Sequence, residues 1–261
     1  MADPEDELAG TEQPFVAHLI ELRDRLIRAM VAVLVVSAVL FIYPGPARLY
    51  DVLAAPLVAS LPQGAHLIAT SVISPFLVPL KILLMTSFLV ALPYVLYQVW
   101  AFIAPGLYSH EKKLVLPLVI SSTALFFCGV AFCYFFVFGR VFHFIQSFAP
   151  KSITAAPDIE AYLSFVLTMF LAFGSAFEVP IVVVVLARMG FVSVDKLREW
   201  RGYFIVVAFI VAAVITPPDV VSQLALAIPM ILLYEVGLWA ARIFIKKTQP
   251  PEESASTPVT K

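Results

Sequence analysis

An all-α polytopic membrane protein with six transmembrane helices is the fold this sequence predicts, and three observations predict it. Of its 261 residues, 61% are hydrophobic and 13% charged, with a mean hydropathy of +0.96; soluble domains carry about 25% charged and about 45–50% apolar residues. The apolar residues gather into six runs that recur through almost the whole chain. The basic residues between those runs favour one side of a membrane. Arg23, Arg25, Arg28, Lys112, Lys113, Arg188, Lys196, Arg198, Arg201, Arg242, Lys246 and Lys247 fall on one side and Arg48, Arg140 and Lys151 on the other, twelve against three. The positive-inside rule then puts both termini in the cytoplasm, which requires an even number of spans.

The elements follow in order. Residues 1–13 read as a flexible acidic N-terminus, unlike the basic start of a cleavable signal. A membrane domain then extends over 14–247. A helix signal opens at Thr11, with Glu12 and Pro14 in its first turn. Phe15, Leu19, Leu22 and Leu26 line one side and Glu21, Asp24, Arg25 and Arg28 the other, which predicts an amphipathic lead-in at the interface before the chain turns inward. Spans are expected at about 26–43, 76–104, 114–138, 161–187, 202–215 and 220–241. Roughly 20 residues cross a core of about 30 Å, so the fifth span is short. With Pro229 and Glu235 in the sixth, the last two form a tight hairpin about Thr216-Pro217-Pro218-Asp219 that does not reach the full hydrocarbon thickness.

Proline-punctuated residues 44–74 predict an external cap in which Leu49, Tyr50, Leu53 and Leu57 share one face. Pro93, Pro180 and Pro229 inside spans imply bent helices and a concave shape. Lys81 is expected to snorkel outward, and Trp100 and Tyr108 to sit at the interface. Residues 139–160 read as a second external segment and 248–261 as a disordered cytoplasmic tail.

Function classes narrow by chemistry. A net charge of -1 gives nucleic acid no basic patch to bind. Cys128 and Cys133 lie in an apolar run and read as buried small hydrophobes. His18, His66, His110 and His143 lie outside the spans or at their edges, with no zinc motif, nucleophile elbow or phosphate loop. No enzyme activity, metal or cofactor is expected.

The acids stand out instead. Glu178 sits within an otherwise uncharged run from Ala161 to Ala187. A carboxyl at that depth needs protein, water or a partner charge around it. It serves either as a polar site during transport or assembly, or as a hydrogen-bonded tie between helices. Glu21 and Glu111 flank spans at the cytoplasmic face. Together they suit guanidinium groups; separately, Glu21 can pair with Arg25 at i,i+4 and Glu111 with Lys112. Asp219 can cap the last span, with Gln223 one turn on.

Five stretches carry a resemblance: HLIELRDRL at 18–26, IATSVISPF at 68–76, YQVWAFIAPGLYSHEKK at 97–113, YLSFVLTMFLAFGSAFEVP at 162–180 and TPPDVVSQLALAIPM at 216–230. Over about residues 11–247 the chain resembles the TatC family, the core membrane subunits of the twin-arginine protein translocase. The resemblance implies a six-helix, glove-like receptor for twin-arginine signal peptides in the bacterial cytoplasmic (inner) membrane. Driven by proton motive force, it moves folded proteins with the single-span partners TatB and TatA, with self-association in the receptor complex and contact with membrane lipids. It also assigns roles to residues: Glu21, Arg23, Arg25, Phe102 and Glu111 to signal-peptide binding, Glu178 to the intramembrane polar site, and Pro56, Asp219 and Gln223 to the external cap and hairpin. The competing readings from chemistry are a secondary transporter for a small solute and a membrane scaffold that is not a receptor.

Overall fold

The computed structural model describes residues 4–52, 68–103, 115–148, 158–216 and 219–246, with backbone alone for 4–15, 145, 146, 148 and 244–246. Regular structure among them is helical, apart from one isolated bridge between Ile68 and Asp158. The helices are α1 (Pro4–Ile42), α2 (46–52), α3 (Ser74–Ile103), α4 (Val115–Phe132), α5 (Phe138–Phe148), α6 (Ile159–Ala176), α7 (Val179–Arg188), α8 (Val194–Glu199), α9 (Arg201–Ile215) and α10 (Val220–Lys246).

Among the described residues, five helical stretches are long and apolar enough to cross a membrane: Val16–Ile42, Ser74–Ile103, Val115–Phe144, Ile159–Arg188 and Val220–Ile243. At 1.5 Å per residue, the 15 residues of α9 rise only about 22 Å. α10 has 27 residues, so only one arm of the expected short hairpin is short.

The lead-in and first span are one unbroken helix, without the expected turn between them. No proline or glycine separates Phe15 from Ile42, so nothing interrupts the hydrogen-bond ladder. The chain leaves α1 through Gly45, whose φ of 89° only glycine adopts without cost. Pro46 opens α2, and Leu49 and Tyr50 pack on the main core as the cap reading requires. Leu53, Pro56 and Leu57 lie outside the described residues.

The third span passes through a π-helical turn at Cys133–Val137 into α5. Helix therefore continues to Phe148, where an external segment was expected from residue 139. The aromatic residues of this stretch divide: Phe126 and Phe138 are buried, while Phe135 and Phe136 face outward. Cys133 is buried, but Cys128 is exposed, against the expectation for both.

α1 lies along α3, and among its described residues only Ala29 is buried. The core is built instead by α3, α4, the π-turn, α5, α6, α9 and α10. Lipid competes for apolar surface, so close packing and interhelical hydrogen bonds hold such helices together. α4 meets α6 at Gly129 and Gly174. A Cβ on Gly129 would stand 2.4 Å from the Phe173 carbonyl oxygen, and one on Gly174 2.4 Å from the Phe126 ring. The crossing exists because neither residue has a side chain.

Candidate functional site

Of the residues expected to bind a signal peptide, Glu21, Arg23 and Arg25 lie on α1 and Phe102 on its neighbour α3. Glu21, Asp24, Arg25 and Arg28 lie on one side of α1, with Ala17 and Ile20, and line a groove of about 350 Å³. The i,i+4 spacing puts Arg25 one turn beyond Glu21. Arg25 Nε and Nη2 both donate to the same carboxylate oxygen, Glu21 Oε1, at 2.8 and 2.6 Å. A third Arg25 nitrogen, Nη1, makes a long contact of 3.5 Å to Gln98 Oε1 on α3. The other Glu21 oxygen, Oε2, lies 4.0 Å from His18 Nδ1.

His18 in turn stacks on Phe102, with ring centroids 4.3 Å apart and an interplanar angle of 16°. The stack ties Phe102, near the end of α3, to the α1 turn that carries Glu21. Arg23 points elsewhere: it is exposed and pairs with Asp24 at 2.8 Å. Thus Glu21, Arg25 and Phe102 are brought together, while Arg23 stands apart. Glu111 lies outside the described residues, as does Tyr108.

A second polar site lies between the long helices. α6 ends at Ala176 and α7 starts at Val179, with Pro180 in its first turn. The residue before a proline is pushed from the α region, and proline cannot supply the next ladder bond. Glu178 stands at this break. Its Oε2 accepts from Ser122 Oγ on α4 at 2.7 Å, and Ser122 Oγ accepts from Trp100 Nε1 on α3 at 2.9 Å. Glu178 Oε1 is buried without a hydrogen-bond partner among the described residues. Three helices are thereby joined through one hydroxyl. Trp100, expected at the interface, is instead buried against Val119, Ile181 and Val185. Pro180 marked the break in the sequence; nothing marked Ser122 as its neighbour.

A third group was missed altogether. Lys81 does not snorkel outward; its Nζ donates to Glu160 Oε1 at 2.7 Å, while Ser74 Oγ donates to Glu160 Oε2 at 2.6 Å. Asp158 caps α6 through the amides of Glu160 and Ala161. Its second oxygen accepts from Thr70 N and Oγ1 at 3.1 and 2.7 Å. The Thr70 side chain first, then the amides of Ala161, Thr70 and Glu160, hold the Asp158 carboxyl at about 2, well below its ordinary value. The sequence signal was the pair Asp158-x-Glu160 at a helix start.

At the hairpin, Asp219 caps α10 by accepting from Ser222 N at 2.7 Å, as its position before the helix predicts. Gln223 Nε2 reaches the Phe209 carbonyl of α9 at 3.4 Å. Glu235 of α10 pairs with Arg201 at the start of α9. Pro56 lies outside the described residues. Among those residues, no group of three or more His, Cys, Asp or Glu is placed to hold a metal ion.

Comparison with known proteins identifies the family. The family model for the Sec-independent protein translocase protein TatC matches residues 17–229. A Sec-independent protein translocase protein TatC from Halothiobacillus neapolitanus is 52% identical over 89% of this chain and 63% of its own length, so the chain spans less than two thirds of that relative. The TatC of Haemophilus influenzae is 47% identical over 94% of this chain and 93% of its own length. A crystal structure of the twin arginine translocase receptor TatC superposes with a TM-score of 0.75 at 40% identity, covering 87% of this chain and 98% of that one. With a family model spanning most of the sequence and a matching fold, the chain belongs to the TatC family.

Proposed function

We propose that this chain is the twin-arginine signal-peptide receptor and core subunit of a Sec-independent translocase of the bacterial cytoplasmic membrane. The observation that carries this reading is the groove on α1. It holds a half-exposed carboxylate, Glu21, already engaged with a guanidinium, and an aromatic residue, Phe102, fixed beside it through His18. A carboxylate that accepts one guanidinium fork can accept another, and charge-assisted bonds of this kind are among the strongest available in a partly desolvated groove.

In this reading α9 is the sixth span, crossing a locally thinned bilayer, and both termini lie in the cytoplasm. The helices form a concave, glove-like body. One signal-peptide arginine docks on Glu21 and the other on Glu111, with Arg23 and Arg25 flanking and Phe102 against the adjoining apolar residues. The apolar stretch of the signal follows toward Glu178. Pro56, Asp219 and Gln223 serve the external cap and hairpin. Six helices of this length do not enclose a passage for a folded protein. TatB and TatA, single-span subunits, and further copies of this chain therefore complete the passage, and proton motive force supplies the energy.

Binding of a labelled twin-arginine peptide to the purified protein in nanodiscs tests the reading. Each charge-assisted bond contributes about 1.5–3 kcal/mol. Glu21→Ala combined with Glu111→Ala is therefore expected to weaken binding by about tenfold to a hundredfold or more. Unchanged affinity in the double variant would remove the basis of the proposal.

A further inference from the structure

We infer that Arg25 is a built-in competitor for the signal-peptide arginine, so that Glu21 is released only to a ligand that replaces one guanidinium with another. The inference rests on the reading of Glu21 as the peptide's acceptor and adds to it how that acceptor is guarded.

Three features of the groove support it. The guard is well placed: Arg25 aims two N–H donors at Glu21 across a single helical turn, at 2.8 and 2.6 Å. Its side chain is 22% exposed and that of Glu21 35% exposed, so the pair is partly buried in the groove and not in open solvent. The guard is also tethered. A residue four positions away in the same helix is present at an effective concentration far above that of any free peptide.

The guard is, however, imperfect. Both donors converge on Oε1, so Arg25 does not make the two parallel bonds that a guanidinium fork makes with both oxygens of a carboxylate. Glu21 Oε2 has His18 at 4.0 Å, beyond hydrogen-bond length. An incoming guanidinium that engages both oxygens makes a better pair than the one it displaces. The displaced Arg25 does not lose all its partners, because Gln98 Oε1 on α3 already lies 3.5 Å from its Nη1. Gln98 is buried, which fixes that acceptor in place.

The consequence is a smaller gain on docking. Docking an arginine on Glu21 gains the difference between the two-oxygen pair it makes and the one-oxygen pair it displaces, which is less than an unguarded carboxylate would give. Arg25 and Gln98 then set how much affinity Glu21 yields to a ligand, although neither need touch the peptide.

The test is peptide binding in nanodiscs to the full chain, using a twin-arginine peptide and one that keeps a single arginine. Arg25→Gln removes the guard and keeps the side chain's bulk. The pair it removes is half-exposed, so both peptides are expected to bind about three- to tenfold more tightly. Gln98→Leu, which withdraws the weaker second anchor, is expected to change affinity less, and Arg25→Lys is expected to restore most of the guard. Combining Arg25→Gln with Glu21→Gln is expected to abolish the gain, because no acceptor remains to be freed. A gain that persists in that double variant overturns the inference, as does an Arg25→Gln variant that binds equally or more weakly. Failure of the underlying reading looks different: Glu21→Gln alone then leaves twin-arginine binding untouched.

Discussion

Glu21 and Glu178 are the same chemical group in two settings, and the contrast explains what each can do. Glu21 lies on a helix that is almost bare of buried residues, in a groove open to one side. Its partner is a full charge, Arg25, on a flexible stem. Glu178 lies at a break in the fourth span and is held by a neutral hydroxyl, Ser122, itself fixed by Trp100 from a third helix. A surface ion pair exchanges partners at little cost. A carboxyl tied to buried neutral donors does not, because any movement strands two or three polar groups away from water. The first setting suits reversible capture of a charged ligand; the second suits a fixed polar point inside an apolar wall.

The largest expected difference between them is in ligand capture. Glu21→Gln is expected to weaken twin-arginine peptide binding by about tenfold or more in the nanodisc assay. Glu178→Gln, which removes none of the groove's ion pairs, is expected to leave that affinity within about twofold. Its effect belongs instead in association with single-span partners and in transport. Equal losses of affinity in both variants would erase the distinction.

Next in size is the tie itself. Ser122→Ala leaves Trp100 Nε1 without an acceptor and Glu178 Oε2 without a donor, which is expected to cost about 1–2 kcal/mol of stability in detergent. Thermal unfolding measures that cost, and Trp100 fluorescence reports the lost bond. Trp100→Phe added to Ser122→Ala is expected to cost less than the sum of the two single changes, since both act on one chain of bonds.

The smallest expected effect separates both acids from Asp158, the cap of α6. Its carboxyl is lowered on folding from 3.8 to about 2, chiefly by Thr70. A carboxylate lowered in this way contributes stability that is complete above its ordinary value and is lost as pH falls through the folded value. Stability of the protein and of Asp158→Asn should therefore converge as pH falls from about 4 to about 2. A gap that stays constant across that window would place the role of Asp158 elsewhere.

The parts of this structure legible in the sequence are those set by lipid and by local spacing. The long spans follow from apolar runs because a bilayer demands them. The Glu21–Arg25 pair and the Asp219 cap follow from distances of four and three residues. Pro180 announced the break that exposes Glu178. Contacts between distant segments were not legible. Lys81 meets Glu160 across 79 positions, and a lone lysine at a span end reads equally well as a snorkelling residue. Trp100 illustrates the same limit: an indole near a helix end suits either the interface or a buried N–H donor, and only Ser122, 22 residues on, decides between them. The π-turn at Cys133–Val137 and the helix beyond it had no signal in a uniformly apolar run.

The central claim, that Glu21 receives a guanidinium from a ligand, is open to one direct measurement. A photo-crosslinking residue at position 17, which lines the groove beside Glu21 and leaves its carboxylate in place, is expected to capture a twin-arginine signal peptide, and Glu21→Gln is expected to remove that adduct. Excess unlabelled twin-arginine peptide should suppress that adduct, and a peptide with both arginines replaced by lysine should not. An adduct that forms equally with the twin-lysine peptide, or no adduct with either, would contradict the claim.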